Sequence, residues 1–357
     1  MNVGLITDDA LGQDGDVVRW KTTGVGRYTE DLHRGLATAG VSVELIYAEA
    51  PGWPLGEAVK HVVTMPRAVR RKAGQFDLIH ASSPITALAF AAIRKPKVVT
   101  FHDCFSILGN RARASGHTRL LLPLVYRTVA ARSDRVIAVS TQTKEELMKD
   151  LHVSEDKIVV VNSGIDERFR PLRRGPRRSY HTVGSVGTLL SPRKRLDYLL
   201  TAFHLLKAKH PGLRANLVLC GDEGGQAVGL RQLTESLGLC QEVEFAGCVP
   251  DERLVETYNS FDVLVLPSDW EGFGFTILEA QRCGVPVIIR EDAHIPGEVS
   301  VCCLKATSEE DMADKISALL TDDDLRKEVV KEGLEYSRCF TWDRAVQETL
   351  RTYEELL

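Results

Sequence analysis

The sequence predicts an α/β protein of two domains, each built on a parallel sheet with crossover helices. Short apolar runs rich in Val, Ile and Leu alternate along the chain with stretches of helical periodicity, and this alternation is typical of parallel strands joined by helices. A length of 357 residues is large for one hydrophobic core and natural for two. Residues 168–180 interrupt the alternation with two prolines, a glycine and six arginines, which is the composition of a linker. We therefore expect an amino-terminal domain at residues 1–172 and a carboxy-terminal domain at residues 173–340.

The strands of both sheets are predicted by short β-branched runs bounded by polar or turn residues. Those of the first domain are expected at residues 3–7, 41–47, 78–80, 97–101, 136–139 and 158–161. Those of the second domain are expected at residues 182–186, 215–220, 243–245, 263–266 and 287–289. Thr341 then stands where a helix N-cap belongs, and residues 341–357 have a helical pattern.

The most informative segment is a predicted strand, turn and helix in the second domain. Residues 261–267 are a mostly apolar run ending at a proline, residues 276–283 are helical in pattern, and residues 284–286 are a glycine-proline stop signal. Glu271 then follows the strand, and Glu279 lies in the helix. Glycines in such a turn let a ligand approach the backbone, a helix start favours phosphate, and a carboxylate can accept hydrogen bonds from ribose hydroxyls. The segment therefore predicts a nucleotide site.

Charge is divided unevenly along the chain. The formal net charge is −4, but residues 1–180 contain 27 Lys and Arg against 19 Asp and Glu, while the remainder contains 18 against 30. Basic residues cluster around the apolar stretch 120–125, at residues 67–72, 94–97, 111–119 and 127–135. Such a surface suits anionic lipid head groups or a phosphorylated acceptor, although solvated helix faces give the same pattern. Aromatic residues are only 6% of the chain, which argues against nucleic acid as a partner.

Composition and cysteine spacing predict a cytoplasmic protein, peripheral to the inner face of the membrane if the basic surface binds lipid. The chain is 44% hydrophobic and 26% charged, which is ordinary for a soluble protein. No apolar run approaches the roughly 18 residues that span a bilayer, and the first nine residues carry two acids and no basic residue, unlike a signal peptide. Eight cysteines without a C-x-x-C spacing predict reduced thiols, since neither a zinc site nor a disulfide framework fits.

The ten residues from Glu271 to Ala280 resemble the E-x7-E motif of the retaining GT-B glycosyltransferases of family 4. Four further segments resemble motifs of that family in the same order: Gly24-Val25-Gly26-Arg27-Tyr28, then Thr100-Phe101-His102-Asp103, then Val139-Ser140-Thr141 with residues 161–166, and Gly187-Thr188-Leu189 followed by Pro192-Arg193-Lys194. The resemblance covers nearly the whole chain. The basic loop is more similar to that of the mannosyltransferase-like members than to that of the sucrose-synthase-like ones.

The resemblance implies the GT-B fold, in which two Rossmann-like doubly wound domains face a central cleft and a carboxy-terminal helix packs back onto the first domain. It implies donor-binding roles for these residues: Gly24, Gly26, Thr188, Gly272, Phe273, Gly274, Phe275, Thr276 and Glu279. It implies that the acceptor contacts Arg27, Tyr28 and Asp103.

The implied reaction is metal-independent, retaining transfer of a hexose from GDP-mannose or a UDP-hexose to a hydroxyl of a glycan, lipid-linked or small-molecule acceptor, as in polysaccharide or glycolipid biosynthesis. Negative charge grows on the leaving diphosphate, so a cation must meet it. Arg193 and Lys194 are the candidates. The resemblance also implies that His102 and Glu271 hold the sugar. Many members have arginine where this chain has Thr188, so Arg193 is expected to make more of the phosphate contact.

No cofactor or metal is expected. The D-x-D pairs that metal-dependent transferases use occur only at residues 14–16 and 322–324, and neither follows a strand-like run, so a loop and a helix cap are the better interpretations. Two other functions stay open. A GT-B protein could bind nucleotide sugars without transfer, which an assay for nucleoside diphosphate release would reveal. An NAD-dependent Rossmann dehydrogenase is less favoured, because Gly24-Val25-Gly26 lacks the full G-x-G-x-x-G and lies far beyond the first strand.

Overall fold

The computed structural model describes residues 1–8, 24–50, 52, 56–105, 116–173, 179–189, 191–222 and 227–357. These residues form two compact units. The first consists of Met1–Gly164 together with Phe340–Leu357, and the second consists of Ile165–Cys339.

The first unit is built on a six-stranded parallel sheet. Its strands are β1 (Asn2–Ile6), β2 (Ser42–Ile46), β3 (Leu78–Ala81), β4 (Lys97–Phe101), β5 (Arg135–Ala138) and β6 (Ile158–Val160). Its helices are α1 (Gly24–Thr38), α2 (Gly56–Val59), α3 (Met65–Lys72), α4 (Gly116–Arg132), α5 (Thr141–Leu151) and α13 (Trp342–Glu354), with a π-helical turn at Lys60–Thr64 and 3₁₀ turns at Ala73–Gln75, Thr86–Ala92 and Glu155–Lys157. The strand order is β2-β1-β3-β4-β5-β6. The strand order therefore reverses at β1: β2 pairs with one edge of β1, and β3 and the later strands lie on its other side.

The second unit repeats the architecture. Its strands are β7 (His181–Val186), β8 (Ala215–Cys220), β9 (Val243–Gly247), β10 (Val263–Leu266), β11 (Val287–Arg290) and β12 (Leu304–Ala306). Its helices are α6 (Leu196–Lys209), α7 (Ala227–Ser236), α8 (Leu254–Ser260), α9 (Phe275–Arg282), α10 (Gly297–Ser300), α11 (Glu309–Thr321) and α12 (Asp323–Ser337), with 3₁₀ turns at Pro192–Lys194 and Asp251–Arg253. The strand order is β12-β11-β10-β7-β8-β9, which is the doubly wound order of dinucleotide-binding domains.

Both sheets are buried by helices, and each unit has its own core. β10 and β11 are buried at every residue, as expected of strands covered on both faces. One cluster of buried apolar side chains lies in the first unit and another in the second. The predicted α/β class with two parallel sheets is therefore confirmed.

Strand β12 was not predicted from the sequence. It is only three residues long, and its burial pattern runs from half-buried through exposed to buried. It pairs with β11 at the edge of the sheet, Ile289 opposite Lys305. A short run with a charged residue at its centre lacks the continuous apolar signal of the other strands.

The boundary between the units differs from the one expected at residue 172. Residues 165–172 pack with the second unit, where the Arg168 Nη2 atom lies 2.8 Å from Oδ1 of Asp251. Asn259 holds the same segment at two points, since its amide nitrogen donates to the Arg170 carbonyl and its amide oxygen accepts from the Leu172 N–H. Specific ion pairing and hydrogen bonding thus attach the start of the arginine-rich segment to α8 and to the 3₁₀ turn before it.

Helix α13 belongs to the first unit. The Thr341 hydroxyl accepts a hydrogen bond from the Arg344 N–H, so the predicted N-cap is confirmed. Gly164 approaches the helix start so closely that an added Cβ would lie 2.3 Å from the Trp342 nitrogen. Gly35 of α1 makes similar room for Val346. The amino-terminal unit is therefore completed by residues from the other end of the chain.

Candidate functional site

The strand order of the second unit indicates where a ligand would bind. β7 and β10 are neighbours, with Val183 opposite Val263, and the connections that follow them run to opposite sides of the sheet. Open α/β sheets bind ligands beyond the carboxyl ends of their strands at such a reversal. The basic loop follows β7 and the turn with the two glutamates follows β10, so the topology brings these two predicted motifs together.

Lys194 and Glu271 form a buried ion pair at this point. The Lys194 ammonium nitrogen donates to Oε1 of Glu271 at 2.7 Å, and each side chain is only 11% exposed. Burial by itself would raise the pKa of the Glu271 carboxyl, but the charges of Lys194 and Arg193 outweigh it and hold the pKa below its ordinary value. Glu271 is therefore a carboxylate next to two cations.

Backbone and side-chain contacts fasten the two loops to each other. The Asp269 N–H donates to the Arg193 carbonyl at 2.7 Å, and the Glu271 N–H donates to the His294 carbonyl at 2.9 Å. The Asp269 carboxylate also contacts Arg195 and Arg290, which come from different elements. These contacts fix the position of the basic loop relative to Glu271. Asp269 and Arg290 were not predicted from the sequence, because neither lies in one of the recognised motifs.

Glycines at the strand ends allow the close packing of these loops. Gly187 follows β7 with φ of +151°, and a Cβ placed there would lie 3.4 Å from the Lys194 ammonium nitrogen. Gly221 follows β8, where a Cβ would lie 1.7 Å from the Gly187 carbonyl oxygen. Any side chain at position 221 would push the backbone after β7 away. Packing thus requires the glycine at position 221, whereas at position 187 it is the backbone angle that favours glycine.

Glu279 lies on α9 and is almost completely buried. The Tyr258 hydroxyl donates to its Oε2 at 2.6 Å, and both side chains are at most 2% exposed. Gly274 stands before the first turn of α9 with φ of +99°, a left-handed conformation that favours glycine. Tyr258 was not predicted from the sequence, because it lies in none of the recognised motifs.

The other predicted donor residues, in this turn and after β7, differ in how much surface they present. Gly272, Phe275 and Thr276 are half-buried, and Thr188 is exposed. Phe273 is 4% exposed, and its ring packs edge-on against Phe275 at 5.3 Å between centroids. The Phe273 ring therefore contributes to the packing of the turn, and its expected role at the donor stays a prediction.

His102 lies in the first unit, directly after β4. Its Nε2 donates to the Ser82 carbonyl at 2.9 Å, so the proton of the neutral ring resides on Nε2. Burial lowers the pKa of His102 to about 4, although the hydrogen bond to Ser82 opposes this shift. The imidazole is therefore neutral at physiological pH. The neighbouring Asp103 carboxylate accepts a hydrogen bond from the Phe105 N–H.

The Tyr28 ring packs against the ring of His102. The two rings meet edge-on with centroids 4.7 Å apart, and Tyr28 is 1% exposed. Its hydroxyl lies 3.3 Å from the Thr100 hydroxyl. The Tyr28 side chain is therefore enclosed by the first unit, and its expected contact with the acceptor stays a prediction. Arg27 is half-buried and Gly24 is exposed at the start of α1, whereas Gly26 is buried.

A buried polar chain continues from Tyr28 to the carboxy-terminal helix. His80 lies between the Thr100 hydroxyl, 2.8 Å from Nε2, and the Tyr353 hydroxyl, 2.6 Å from Nδ1. Burial lowers the pKa of His80 to about 3, and the positive charge that His102 would carry acts in the same direction. The chain connects α13 to the strand end that carries His102.

Helix α4 presents an apolar face to solvent. Leu121 and Leu124 are 59% and 60% exposed, and Arg127 and Arg132 are exposed too. At 100° per residue these four positions share one side of the helix, with an arginine on each flank. Arg111 and Arg113 of the predicted basic surface lie outside the described residues, as do Asp14 and Asp16. No described helix is long and apolar enough to cross a bilayer.

Two acidic groups have structural explanations. Asp322 caps α12, since its carboxylate accepts from the N–H groups of Asp324 and Leu325, and this confirms the interpretation of residues 322–324 as a helix cap. In the first unit, ligand atoms of Asp8, Glu57 and His61 lie within 4.8 Å of one another. Lys60 is 2.9 Å from the Asp8 carboxylate, so an ammonium group already supplies positive charge there.

The chain matches two family models. Residues 22–169 match the model described as Glycosyltransferase Family 4, and residues 174–336 match the model described as glycosyl transferases group 1. A curated relative, the D-inositol 3-phosphate glycosyltransferase of Saccharomonospora viridis, is 30% identical over 307 residues, covering 80% of this chain and 71% of that protein.

Solved structures share the fold at low identity. Sucrose-phosphate synthase from Thermosynechococcus elongatus superposes with a TM-score of 0.80 at 19% identity, over 100% of this chain and 99% of that one. HepE from Anabaena, solved in complex with UDP-glucose, superposes with a TM-score of 0.77 at 20% identity over the full length of both chains. The two-domain Rossmann-like architecture expected from the resemblance is confirmed.

Proposed function

This chain belongs to the group 1 glycosyl transferases, and from that premise we propose that it transfers a hexose from a nucleoside diphosphate sugar to an acceptor hydroxyl, with retention of configuration and without a metal ion. The second unit would hold the donor and the first unit the acceptor. We propose a phosphorylated small molecule or a lipid-linked glycan as acceptor.

The buried pair of Lys194 and Glu271 carries the proposal for the donor. Two charges buried at 2.7 Å are costly to desolvate, and a hydrophobic pair would fill the space at less cost. Their place beyond β7 and β10, next to Arg193 and the start of α9, suits a diphosphate group. We assign Lys194 and Arg193 to the leaving phosphates and Glu271 to the sugar. Glu279 would accept hydrogen bonds from the ribose.

In the proposed reaction the acceptor attacks the face of the sugar that the diphosphate leaves. The bond from C1 to the phosphate oxygen breaks, a bond from C1 to the acceptor oxygen forms, and the acceptor proton passes to the departing phosphate oxygen. Lys194 and Arg193 would stabilise the charge on the diphosphate. His102 would hold the sugar as a neutral ring, consistent with its lowered pKa of about 4.

The donor and acceptor are proposed as classes. The basic loop favours GDP-mannose as the donor. The Anabaena structure was solved with UDP-glucose, so we include UDP-hexoses among the candidate donors. The relative named for D-inositol 3-phosphate supports a phosphorylated cyclic polyol as acceptor, and the exposed Arg127 and Arg132 of the first unit suit such an anion.

An assay of nucleoside diphosphate release tests the proposal. Purified protein is incubated with GDP-mannose, UDP-glucose or UDP-N-acetylglucosamine, with and without D-inositol 3-phosphate, and the product is identified by mass spectrometry and its anomeric configuration by NMR. One donor should give acceptor-dependent release of diphosphate and an α-linked product, and EDTA should not abolish it. Tight donor binding without release would favour the non-catalytic alternative, and loss of activity on chelation would contradict the metal-independent mechanism.

The exposed face of α4 supports a second proposal, that the first unit contacts anionic lipid. Leu121 and Leu124 are large apolar side chains in solvent, and basic residues flank them. This combination is typical of helices that lie in the head-group region. A membrane contact of this kind would bring the enzyme to a lipid-linked acceptor and place it at the cytoplasmic surface.

A further inference from the structure

We propose that Tyr258 is a positioning residue for ribose recognition, acting through Glu279. Its hydroxyl would fix the carboxylate in the orientation that accepts the ribose hydroxyls of the donor. This inference rests on the proposed function, in which Glu279 binds that ribose, and it adds a residue that no motif of the chain contains.

The contact between the two side chains is short and enclosed. The Tyr258 hydroxyl lies 2.6 Å from Oε2 of Glu279, a distance typical of a hydroxyl bonded to a charged carboxylate. Tyr258 is 0% exposed and Glu279 is 2% exposed. Solvent therefore has little access to replace the hydroxyl if it is removed. A carboxylate deprived of a donor in such a place loses more than an exposed one would.

The ring of Tyr258 is itself held by aromatic neighbours. Phe261 and Phe169 meet it edge-on, with centroids 6.4 Å and 5.9 Å away. Phe261 occupies the space above Gly184 of β7, where an added Cβ would lie 2.4 Å from its ring. The hydroxyl is thus placed by the packing of α8 against the sheet.

This arrangement reduces what ribose binding must order. A glutamate has three rotatable side-chain bonds, and restricting them at the moment of binding lowers affinity. With Tyr258 bonded to one oxygen, the carboxylate is already oriented before a ligand arrives. Tyr258 does not need to touch the donor to have this effect.

Binding of ribonucleotides and dideoxyribonucleotides separates this role from general stability. The probe is whichever of UDP and GDP the wild type binds more tightly in isothermal titration calorimetry, together with its 2′,3′-dideoxy counterpart. Tyr258→Phe should weaken the ribonucleotide about tenfold or more, as expected for a lost hydrogen bond to a charged group, and should leave the dideoxy compound nearly unchanged. Added to Glu279→Ala, the same substitution should cause no further loss.

Tyr353→Phe is the matched control. Tyr353 is also fully buried and also donates or accepts through its hydroxyl, but its partner is His80 in the first unit. It should lower the melting temperature without changing either affinity. Should Tyr258→Phe fail to fold, Phe169→Leu, which keeps the hydroxyl but loosens the ring, should show the same selective loss for the ribonucleotide.

The outcomes distinguish the inference from its premise. If Glu279→Ala binds the ribonucleotide as wild type does, the ribose assignment of the proposed function is wrong and the inference falls with it. If Glu279→Ala loses affinity and Tyr258→Phe does not, only the inference is overturned. Equal losses for the ribonucleotide and the dideoxy compound in Tyr258→Phe would show a merely structural tyrosine.

Discussion

At the scale of single residues, Lys194 interacts with two groups in the proposed mechanism. One is the Glu271 carboxylate, which it contacts at 2.7 Å, and the other is the leaving phosphate. A cation aimed at developing charge contributes more to the transition state than to the bound donor. Lys194→Ala should therefore lower kcat by on the order of 100-fold or more while changing donor affinity less. Steady-state kinetics with calorimetric donor binding measure both quantities.

Lys209→Ala is a suitable control for that experiment. Lys209 lies in the same unit, and its ammonium group pairs with Asp314 at 2.8 Å away from the loops after β7 and β10. Its removal should leave kcat unchanged. A Lys194→Ala enzyme with full turnover, or one that merely fails to bind donor, would contradict a role at the leaving phosphate.

The buried histidines of the first unit predict a dependence of stability on pH. Burial lowers the pKa of His80 from 6.5 to about 3, so between these values the unfolded chain binds a proton that the folded chain does not. The free energy of unfolding should therefore fall as the pH drops below 6.5, with a contribution of about 1.4 kcal/mol per pH unit from this group. Urea unfolding at pH 5, 6, 7 and 8 measures it.

His80→Gln should reduce that slope between pH 5 and 6 whatever it does to absolute stability. Above pH 7, where the unfolded histidine is neutral as well, variant and wild type should vary in parallel. A variant with the full wild-type slope below pH 6.5 would assign the acid sensitivity to other groups, such as His102, whose pKa is lowered to about 4.

The predicted site residues have contacts that follow from the order of the strands, whereas the missed residues have contacts that depend on side-chain packing. Glu271 and Lys194 lie 77 positions apart in sequence, yet each follows a recognisable strand, so the rule for open sheets brought them together. Tyr258 is different, because its proposed role depends on the direction of its hydroxyl, which the packing of Phe169 and Phe261 sets. Tyr28 lies in a motif, and the structure adds what the motif does not encode, the packing of its ring against His102.

At the scale of elements, the apolar runs of the sequence located every strand that is continuous and buried. Periodicity fails at β12, whose central Lys305 is exposed, and at the boundary between the units, where Arg168 and Asn259 hold residues that composition assigns to a linker. Hydrophobic patterns report burial. They do not show which unit a polar segment packs against when ion pairs and hydrogen bonds hold it there.

Gly164 provides a test of how α13 is attached to the first unit. A Cβ at this position would lie 2.3 to 2.6 Å from backbone atoms of Thr341 and Trp342, and backbone cannot move aside as a flexible side chain can. Gly164→Ala should lower the free energy of unfolding by about 1 to 3 kcal/mol, the usual cost of overpacking. Chemical denaturation followed by tryptophan fluorescence is the measurement.

Gly74→Ala is the matched control, because no atom lies within 4 Å of the Cβ it would add and its φ is not in the left-handed region. It should be nearly neutral. Equal stability of the two variants would mean that α13 shifts without cost, and the polar chain from Tyr353 to Tyr28 would then not be held by this contact.

At the scale of the whole molecule, the division of charge is a property that no single motif encodes. Residues 1–180 have an excess of Lys and Arg, and the remainder has an excess of Asp and Glu. Counted by the units of the fold, the difference is smaller: the first has 23 Lys and Arg against 21 Asp and Glu, and the second has 22 against 28. The unit proposed to bind the donor diphosphate is the acidic one, so local cations such as Lys194 and Arg193 must create the attraction there. The basic surface of the first unit is available for a different anion.

In the membrane proposal that anion is a lipid head group. If α4 lies in the head-group region, each basic residue near the surface contributes roughly 1 kcal/mol, and the attraction fades over about one Debye length, roughly 10 Å at 0.1 M salt. Wild-type protein should co-sediment with vesicles containing phosphatidylglycerol, should not bind phosphatidylcholine vesicles, and should dissociate as salt rises.

Replacing Leu121, Leu124, Arg127 and Arg132 by serine should abolish co-sedimentation but leave slow hydrolysis of the sugar nucleotide intact, since the donor is assigned to the other unit. Serine at Arg214 and Arg253, which are exposed in the second unit, should change neither property. Wild-type protein that ignores phosphatidylglycerol vesicles even at low salt would leave a phosphorylated soluble acceptor as the ligand of the basic surface, and kcat/KM for D-inositol 3-phosphate should then fall as salt rises.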